Sequence, residues 1–347
     1  MNQSFLLHVV ERLESFASKL PATIQKPILN ELTPLKELFL RQRAPRLLFI
    51  GSGKIDIAEI AGRSAAKGSG WEDVDLAERG TMSILDARAG AWSAIESEIK
   101  RQPPDAIIFL SDNESSRGPR KNDIDHLRQL LRHSTNAKVI ATGGERVQSA
   151  LKSDAAIKDH LLEAPAHNTQ SLMSVLAREL PNEARIEMIR ISRDREAQHQ
   201  VAQILIKSTT AICTAIGAQP IPLADMPILT TLQLVMVSGI MYISGRERSL
   251  RAATEFVGAL GANVGIGMLL REGTRAILKF FPGWGNVVCG MVAGAGTYAM
   301  GRAAIAFFIE GASIKEARKT YLASRKRPPR PLPLGPTKQK TRRSRRK

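Results

Sequence analysis

The residues with the clearest chemical potential lie in a short glycine turn near the start of the chain. The apolar run at 46–50 is followed by Gly51-Ser-Gly53-Lys54, and a later apolar run ends in Asp86. Glycines after a strand let backbone N–H groups surround a phosphate, and a lysine at the following position reaches the outer phosphates. Asp86 would fall at the carboxyl end of a strand, where ligands bind to open α/β sheets. Gly51, Gly53, Lys54 and Asp86 are therefore candidate nucleotide-binding residues.

The spacing of this turn departs from that of a working phosphate-binding loop, G-x-x-x-x-G-K-[ST]. Lys54 arrives three residues early and is followed by Ile55, which cannot bind a metal. If the loop length is kept instead, Asp56 and Ile57 stand where Gly-Lys should be, and an Asp would repel phosphate. Three interpretations stay open: a tight turn without a ligand, which we favour, weakened anion binding at a helix N-terminus, and GTP hydrolysis. Helix capping is the simpler role for Asp86.

Alternating apolar runs and helical patterns predict an α/β domain at 43–184. Strands without polar alternation, separated by helices, are typical of a parallel sheet that is covered on both faces. The predicted strands are Arg46–Ile50, Thr81–Asp86, Asp105–Leu110, Ala137–Thr142 and His160–Glu163. Whether 71–76 adds another strand stays open. Residues 1–42 are predicted to form a helical hairpin, with Pro27 near the start of its second helix, because apolar residues recur there at three- and four-residue steps.

The succession of elements at 46–180 resembles an Era-like GTPase domain. Ser83-Ile-Leu-Asp86-Ala-Arg-Ala-Gly90 is similar to that family's strand ending in Asp-Thr-x-Gly, but Ala87 replaces Thr and Gly90 comes one residue late. Ala141-Thr-Gly-Gly-Glu-Arg146 stands where the family has its base-reading N-K-x-D, and Glu163–Asn168 takes the place of its Ser-Ala loop. The resemblance implies a degenerate, P-loop GTPase-like parallel sheet.

From Ile186 onward the sequence is helical, and we predict an all-α, glycine-rich apolar domain at 185–322. Pro220 and Pro222 should end a long helix at 193–217, and Asp225 should cap the next one. Gln233 lies inside an apolar run, where an unpaired amide is costly, so we expect it to bridge helices. Gly290-x-x-x-Gly294 exposes backbone on one helix face and predicts close contact with a neighbouring helix.

This half resembles the YcjF-type helical domain, which follows GTPase domains in bacteria and occurs in membrane-associated proteins. The matching residues that we expect to have structural roles are Pro220, Pro222, Asp225, Gln233, Pro282, Gly283, Gly290 and Gly294. The resemblance covers about 195–320. It implies a bacterial protein at the inner membrane or its cytoplasmic face, with a soluble cytoplasmic protein as the alternative.

Two uncharged segments, 226–245 and 280–301, have the length that a membrane-spanning helix needs, but both contain polar residues or several glycines. Insertion, peripheral association and a soluble domain are all open on this pattern. The tail at 323–347 is predicted to be disordered and basic. From Arg318 to Lys347 there are 13 Lys or Arg and no acidic residue, which accounts for most of the formal net charge of +17. Such a tail can attract anionic lipid or nucleic acid.

No histidine or cysteine pattern indicates a metal site, and no nucleophile motif is present. The sequence therefore predicts a non-catalytic pseudo-GTPase scaffold or adaptor at the membrane, with an unidentified protein partner and no cofactor. The first alternative is an active GTPase that binds GTP and Mg²⁺ through Lys54 and Asp86. The second is a nucleic-acid or ribosome-associated factor that acts through the basic tail.

Overall fold

A computed structural model describes residues 3–53, 68, 70–76, 80–88, 90–111, 119–162, 169–218, 225–261 and 284–326. The chain combines an α/β part, built on a six-stranded and mostly parallel sheet, with a set of long helices. In chain order its first elements are α1 Gln3–Ala17, α2 Ala22–Phe39, β1 Arg46–Gly51, β2 Glu72–Asp75, β3 Thr81–Asp86, α3 Trp92–Arg101, β4 Ala106–Leu110, α4 Lys121–His133, β5 Lys138–Ala141, α5 Glu145–Ser153 and β6 Leu161–Leu162. The helices that follow are α6 Thr169–Glu179, α7 Asn182–Ser192, α8 Arg195–Gly217, α9 Asp225–Ile243, α10 Leu250–Gly261, α11 Trp284–Ala304 with a π-helical turn at Ile305–Ile309, and α12 Ile314–Lys326.

The sheet has the strand order β2-β3-β1-β4-β5-β6. All five apolar runs that the sequence predicts as strands are strands of this sheet, and they run parallel to one another. They lack polar alternation because helices cover them; every residue of β4 is buried. Residues 55–67, whose apolar spacing also predicts a helix, lie outside the described residues.

The segment that the sequence left open, 71–76, contains the sixth strand, and this edge strand β2 pairs antiparallel with β3, so the sheet is mostly and not wholly parallel. Only the segment 76–80 joins these two strands, and so short a connection suits antiparallel neighbours, whereas parallel neighbours need a long crossover. Gly80 has φ +127° and its carbonyl accepts a hydrogen bond from the Leu76 N–H at 2.9 Å. The acidic β2 has one buried residue, Val74, which explains why its apolar signal is weak.

The N-terminal helices differ in one boundary from the prediction. Helix α2 begins at Ala22, so Pro27 lies within it and not near its start, and Pro34 lies within it too. At the other end of the chain, α12 runs to Lys326. The predicted tail therefore begins four residues too early, since 323–326 are helical.

The chain divides into two compact units, each made of separate stretches of the sequence. One unit comprises Met1–Leu35, Ile204–Ser238 and Ser249–Lys347, and the other comprises Lys36–Gln203 and Gly239–Arg248. The sheet belongs to the second unit. The domain boundaries that the sequence suggests at 42 and 184 stay predictions.

Candidate functional site

The glycine turn after β1 lies directly against the end of β4. Gly51 has φ +106°, a conformation that favours glycine, and a Cβ there would overlap the carbonyl oxygen of Leu110. The Gly53 N–H donates to the same Leu110 oxygen at 3.0 Å. A Cβ on Gly53 would lie 2.9 Å from the Leu110 carbonyl carbon. Both glycines are therefore required by the close approach of two backbone segments.

This contact lies at the edge of the sheet where a ligand would be expected to bind. In open α/β sheets the ligand crevice forms at the carboxyl ends of neighbouring strands whose connections leave in opposite directions. Strand β1 leads to β2 and β3 on one side, and β4 leads to β5 on the other, so the crevice belongs between β1 and β4. The Gly53 N–H, which in a phosphate-binding loop would point at the ligand, is used to hold the turn onto β4.

The end of β4 that receives this turn is itself held by β5. The Ser111 N–H donates to the Thr142 hydroxyl at 3.0 Å, and the Thr142 N–H donates to the Phe109 carbonyl at 2.8 Å. On the opposite side of β1, the Ala87 N–H donates to the Phe49 carbonyl at 2.9 Å. The turn is therefore packed against backbone whose own hydrogen bonds are made within the sheet.

Asp86, the candidate acidic residue at the end of β3, is buried and paired with Arg88. The residue is 1% exposed. The guanidinium donates from Nε to Oδ1 and from Nη2 to Oδ2, both at 2.8 Å, and the Arg88 N–H adds a third bond to Oδ1 at 3.2 Å. Two parallel N–H···O bonds are the strong, geometrically specific form of an arginine–carboxylate pair. Both carboxylate oxygens therefore have a cationic partner within the chain.

Arg88 also joins Asp86 to the glycine turn. Its Nη1 donates to the Gly53 carbonyl oxygen at 2.9 Å, and its side chain is only 12% exposed. The N–H and the C=O of Gly53 are thus both bound, one by β4 and the other by Arg88. A fixed guanidinium supplies at this point the positive charge that a metal ion would bring to a carboxylate.

The sequence reasoning selected Gly51, Gly53 and Asp86, and the structure brings these three residues together. Lys54, the remaining candidate, lies outside the described residues. Arg88 was missed as a site residue. Its signal is its position two residues after a buried Asp, where a side chain leaving the strand end can fold back onto the carboxylate.

Of the eight residues expected to have structural roles, Pro220, Pro222, Pro282 and Gly283 lie outside the described residues. Asp225 is the first residue of α9, and its capping bond stays a prediction because its side chain is not among those described. Gln233 on α9 does bridge helices, since its Nε2 donates to the Thr297 hydroxyl of α11 at 2.9 Å.

The close helix contact predicted from Gly290 and Gly294 is present between α11 and α8. A Cβ at Gly290 would lie 2.8 Å from the Thr214 carbonyl oxygen and 2.9 Å from the Ala218 Cβ, and one at Gly294 would overlap the Thr214 hydroxyl. Nearby, Cys213 is fully buried. Burial raises the pKa of the Cys213 thiol to about 12, and a hydrogen bond with Thr297 only partly opposes the shift. A thiol in that state is not a nucleophile at neutral pH.

A second polar cluster lies near the sheet and centres on Tyr242. The Tyr242 hydroxyl donates to Glu187 Oε1 at 2.6 Å and accepts from Arg190 Nη1, also at 2.6 Å. The guanidinium groups of Arg190 and Arg248 lie 4.0 and 4.1 Å from the centre of the Tyr242 ring. Gln42 hydrogen-bonds Glu187, Tyr242 and Arg248. This hydrogen-bonded network links α7, α9 and the segment after α2, and we interpret it as structural, because it holds these elements together.

Among the described residues, no group of His, Cys, Asp and Glu is arranged to hold a metal ion. Within the residues that the structure describes, one helical segment, Gly290–Ile309, is long and apolar enough to cross a membrane, with a mean hydropathy of 1.3. It is 67% buried within the fold, and a core helix has the same properties. Pro227–Ile243 is apolar but shorter.

Comparison of the chain with protein-family models, curated proteins and solved structures found no match. The GTPase-like and YcjF-type resemblances therefore depend on the residues that carry them.

Proposed function

We propose that this chain is a non-catalytic, pseudo-GTPase scaffold at the cytoplasmic face of a bacterial inner membrane. The observation that carries the proposal is the closure of the turn after β1 by Leu110 and Arg88. A triphosphate needs backbone N–H groups that are free to face it, and Mg²⁺ needs carboxylate or hydroxyl oxygens. Here the Gly53 N–H and both oxygens of Asp86 have partners in the chain itself.

The arrangement of the sheet supports descent from a GTPase-like domain. A glycine turn follows the central strand β1, and Asp86 ends the neighbouring strand β3, as the Era-like resemblance implies. What has changed is the chemistry at these positions. An arginine two residues after the Asp takes up its charge, and the lysine that follows Gly53 is out of register with a phosphate-binding loop.

The membrane part of the proposal is supported by apolar and basic features of the helical residues. Gly290–Ile309 has the length and hydropathy of a membrane helix, and thirteen Lys or Arg residues follow from Arg318 to the C-terminus. Basic residues beside an apolar segment favour the cytoplasmic side and attract anionic lipid. The proposed role is to place a partner protein at that surface.

Turnover separates the proposal from the active-GTPase alternative. We expect the purified full-length protein to release no phosphate from GTP with Mg²⁺ above the buffer rate, and Lys54→Ala and Asp86→Ala to leave that result unchanged. Phosphate release that both substitutions abolish would establish the enzyme instead.

Fractionation of cells that express the full-length chain tests the location. We expect the protein in the membrane fraction at low ionic strength, because its apolar and basic residues favour that surface. Sequential washes with salt and detergent then show how it is held there. A protein found only in the soluble fraction at low ionic strength would contradict the proposed location.

A further inference from the structure

The exposed face of α12 carries a stripe of basic residues. Lys315, Lys319 and Leu322 are spaced four and three residues apart, so they lie along one side of the helix. All three are exposed, and Leu322 is 45% exposed although it is large and apolar. Arg325, also exposed and three residues after Leu322, continues this stripe. The opposite side of α12 packs inward through Ala317, which is fully buried.

Helices α11 and α12 form a hairpin, and further exposed apolar side chains occur on α11 beyond the last residue of α12. The two helices pack against each other and are joined by the short connection 310–313. Because α12 is the shorter arm, Met291 and Val292 lie roughly one to two helical turns beyond its last residue. Both are exposed, at 52% and 40%.

The charged residues that follow the first turn of α12 in the sequence are all basic. No Asp or Glu occurs after Glu316, and the residues from 327 onward add nine Lys or Arg. Glu316 itself is bound by Ser313 at the start of α12, where its Oε2 accepts from both the N–H and the hydroxyl at 2.8 Å. Burial of Leu322 in a partner would therefore bring Lys315, Lys319 and Arg325 against it, and that partner must be anionic.

We propose that the α12 stripe, defined as Lys315, Lys319, Leu322 and Arg325, docks onto an anionic phospholipid surface. This deepens the membrane part of the proposed function, on which it rests, by naming the lipid class and the residues. A bilayer interface binds both exposed apolar side chains and Lys or Arg, whereas a nucleic-acid backbone is charged and offers no apolar surface on which Leu322 could be buried. Residues after Tyr321 include no aromatic side chain for stacking on bases, which also favours lipid.

Vesicle flotation of the full-length protein tests this assignment. We expect binding to phosphatidylcholine vesicles that contain phosphatidylglycerol, little binding to pure phosphatidylcholine, and release at high salt. Each charge near an anionic surface contributes about fivefold in affinity, so the double substitution Lys315→Gln and Lys319→Gln should weaken binding roughly thirtyfold. The Leu322→Ser variant should weaken it several-fold, and its binding should stay sensitive to salt.

A matched control separates the stripe from general basicity. The double substitution Lys121→Gln and Arg132→Gln removes two exposed charges from α4 and should leave vesicle binding unchanged. Three results would overturn the proposal: equal loss in this control, equal binding to neutral vesicles, or displacement from anionic vesicles by single-stranded nucleic acid at equal charge concentration. Full retention of binding by the stripe variant, combined with its loss when Arg342, Arg343, Arg345 and Arg346 are changed to Gln, would also overturn it.

The outcome is distinguishable from failure of the proposed function. If the protein does not bind anionic vesicles but stays in the membrane fraction until detergent is added, the proposed location stands and only the role of the α12 stripe is wrong. If it does not bind anionic vesicles and is found only in the soluble fraction, both proposals are wrong. Neither result changes the GTP turnover measurement.

Discussion

Asp86 and Arg88 form a charge pair that is almost completely buried. A buried carboxylate needs a counter-charge and hydrogen bonds, because its desolvation is otherwise uncompensated. Arg88 provides both, and through its bond to Gly53 it also ties the end of β3 to the turn after β1. The pair therefore holds together segments that would surround a ligand in an active site.

Loss of Arg88 should be strongly destabilising. Arg88→Ala leaves the buried Asp86 carboxylate without its cation, and we expect the free energy of unfolding to fall by about 3–5 kcal/mol. Adding Asp86→Asn should recover part of the loss, because the stranded charge is removed. Urea denaturation followed by circular dichroism measures both changes.

The control for this pair is Arg101→Ala, which breaks the exposed contact of Arg101 with Glu98. It should change stability little, because water replaces the lost contact. An Arg88→Ala protein as stable as wild type would show that the pair does not hold the turn.

The Tyr242 hydroxyl offers a second test at the residue scale. Tyr242→Phe keeps the ring between Arg190 and Arg248 but removes the hydroxyl that bridges Glu187 and Arg190, so unfolding should become easier by about 1–3 kcal/mol. Tyr321→Phe is the matched control, since the described residues show no hydrogen bond from that hydroxyl. Equal stability of the two variants in urea would contradict the bridging role.

The same residue gives the wild-type protein a predictable pH dependence. Burial and the Glu187 hydrogen bond raise the pKa of Tyr242 above its usual value of 10.0. The folded protein therefore keeps a proton that the unfolded chain releases, and this stabilisation is complete below the unfolded pKa and is lost as the pH rises through the folded pKa. Wild type should therefore lose more stability than Tyr242→Phe as the pH rises above about 10.

The sequence allowed part of the candidate site to be predicted. Gly51 and Gly53 were identified because glycines directly after a strand are a feature of phosphate-binding loops, and Asp86 because it ends an apolar run. The closure of the site was not predictable in the same way. It depends on the Leu110 carbonyl and on the direction of the Arg88 side chain, and neither leaves a pattern in the residues of the turn itself.

At the scale of elements, prediction succeeded where hydrophobic periodicity is unambiguous. The five parallel strands and the helices between β3 and β6 follow from apolar runs and helical spacing. The edge strand β2 could not be assigned, because three of its four residues are acidic and only Val74 faces the core. The end of α12 was misplaced because 323–326 continue a helix that is held by packing further back, at Ala317.

Two glycines on α11 provide a matched pair for testing helix contact. Gly290→Ala forces a methyl group against the Thr214 carbonyl and Ala218, so α11 and α8 must separate, and we expect a loss of about 1–3 kcal/mol in unfolding free energy. Gly296→Ala adds its methyl group into open space on the same helix and should stabilise the protein by up to about 1 kcal/mol. Thermal or urea unfolding shows whether each substitution raises or lowers the free energy of unfolding. Equal effects of the two substitutions would mean that the close contact does not matter for stability.

At the scale of the whole molecule, composition and periodicity predicted an α/β part and a helical part, and the structure has both. They did not predict how the chain is shared between compact units. Long helices such as α8 contain residues of both units, and a periodicity argument treats each helix as belonging to one domain. Assignment of a segment to a unit depends on contacts between residues far apart in sequence, such as Gln233 and Thr297.

The proposed function depends on one property of the molecule, namely that the turn after β1 is occupied by the chain itself. Many proteins lack a nucleotide-binding motif, so a missing motif does not by itself identify a scaffold. Here, among the residues that the structure describes, the N–H of Gly53 and both carboxylate oxygens of Asp86 already have partners within the chain, which is a positive reason to expect that they do not bind a triphosphate and Mg²⁺.

Calorimetric titration of the full-length protein with GTP and Mg²⁺ tests that property most directly. We predict no saturable heat up to millimolar nucleotide, for wild type and for Lys54→Ala alike. Saturable GTP binding at micromolar concentration that is lost in Lys54→Ala would contradict the account, because it would require the turn to release Leu110 and Arg88 and to hold phosphate.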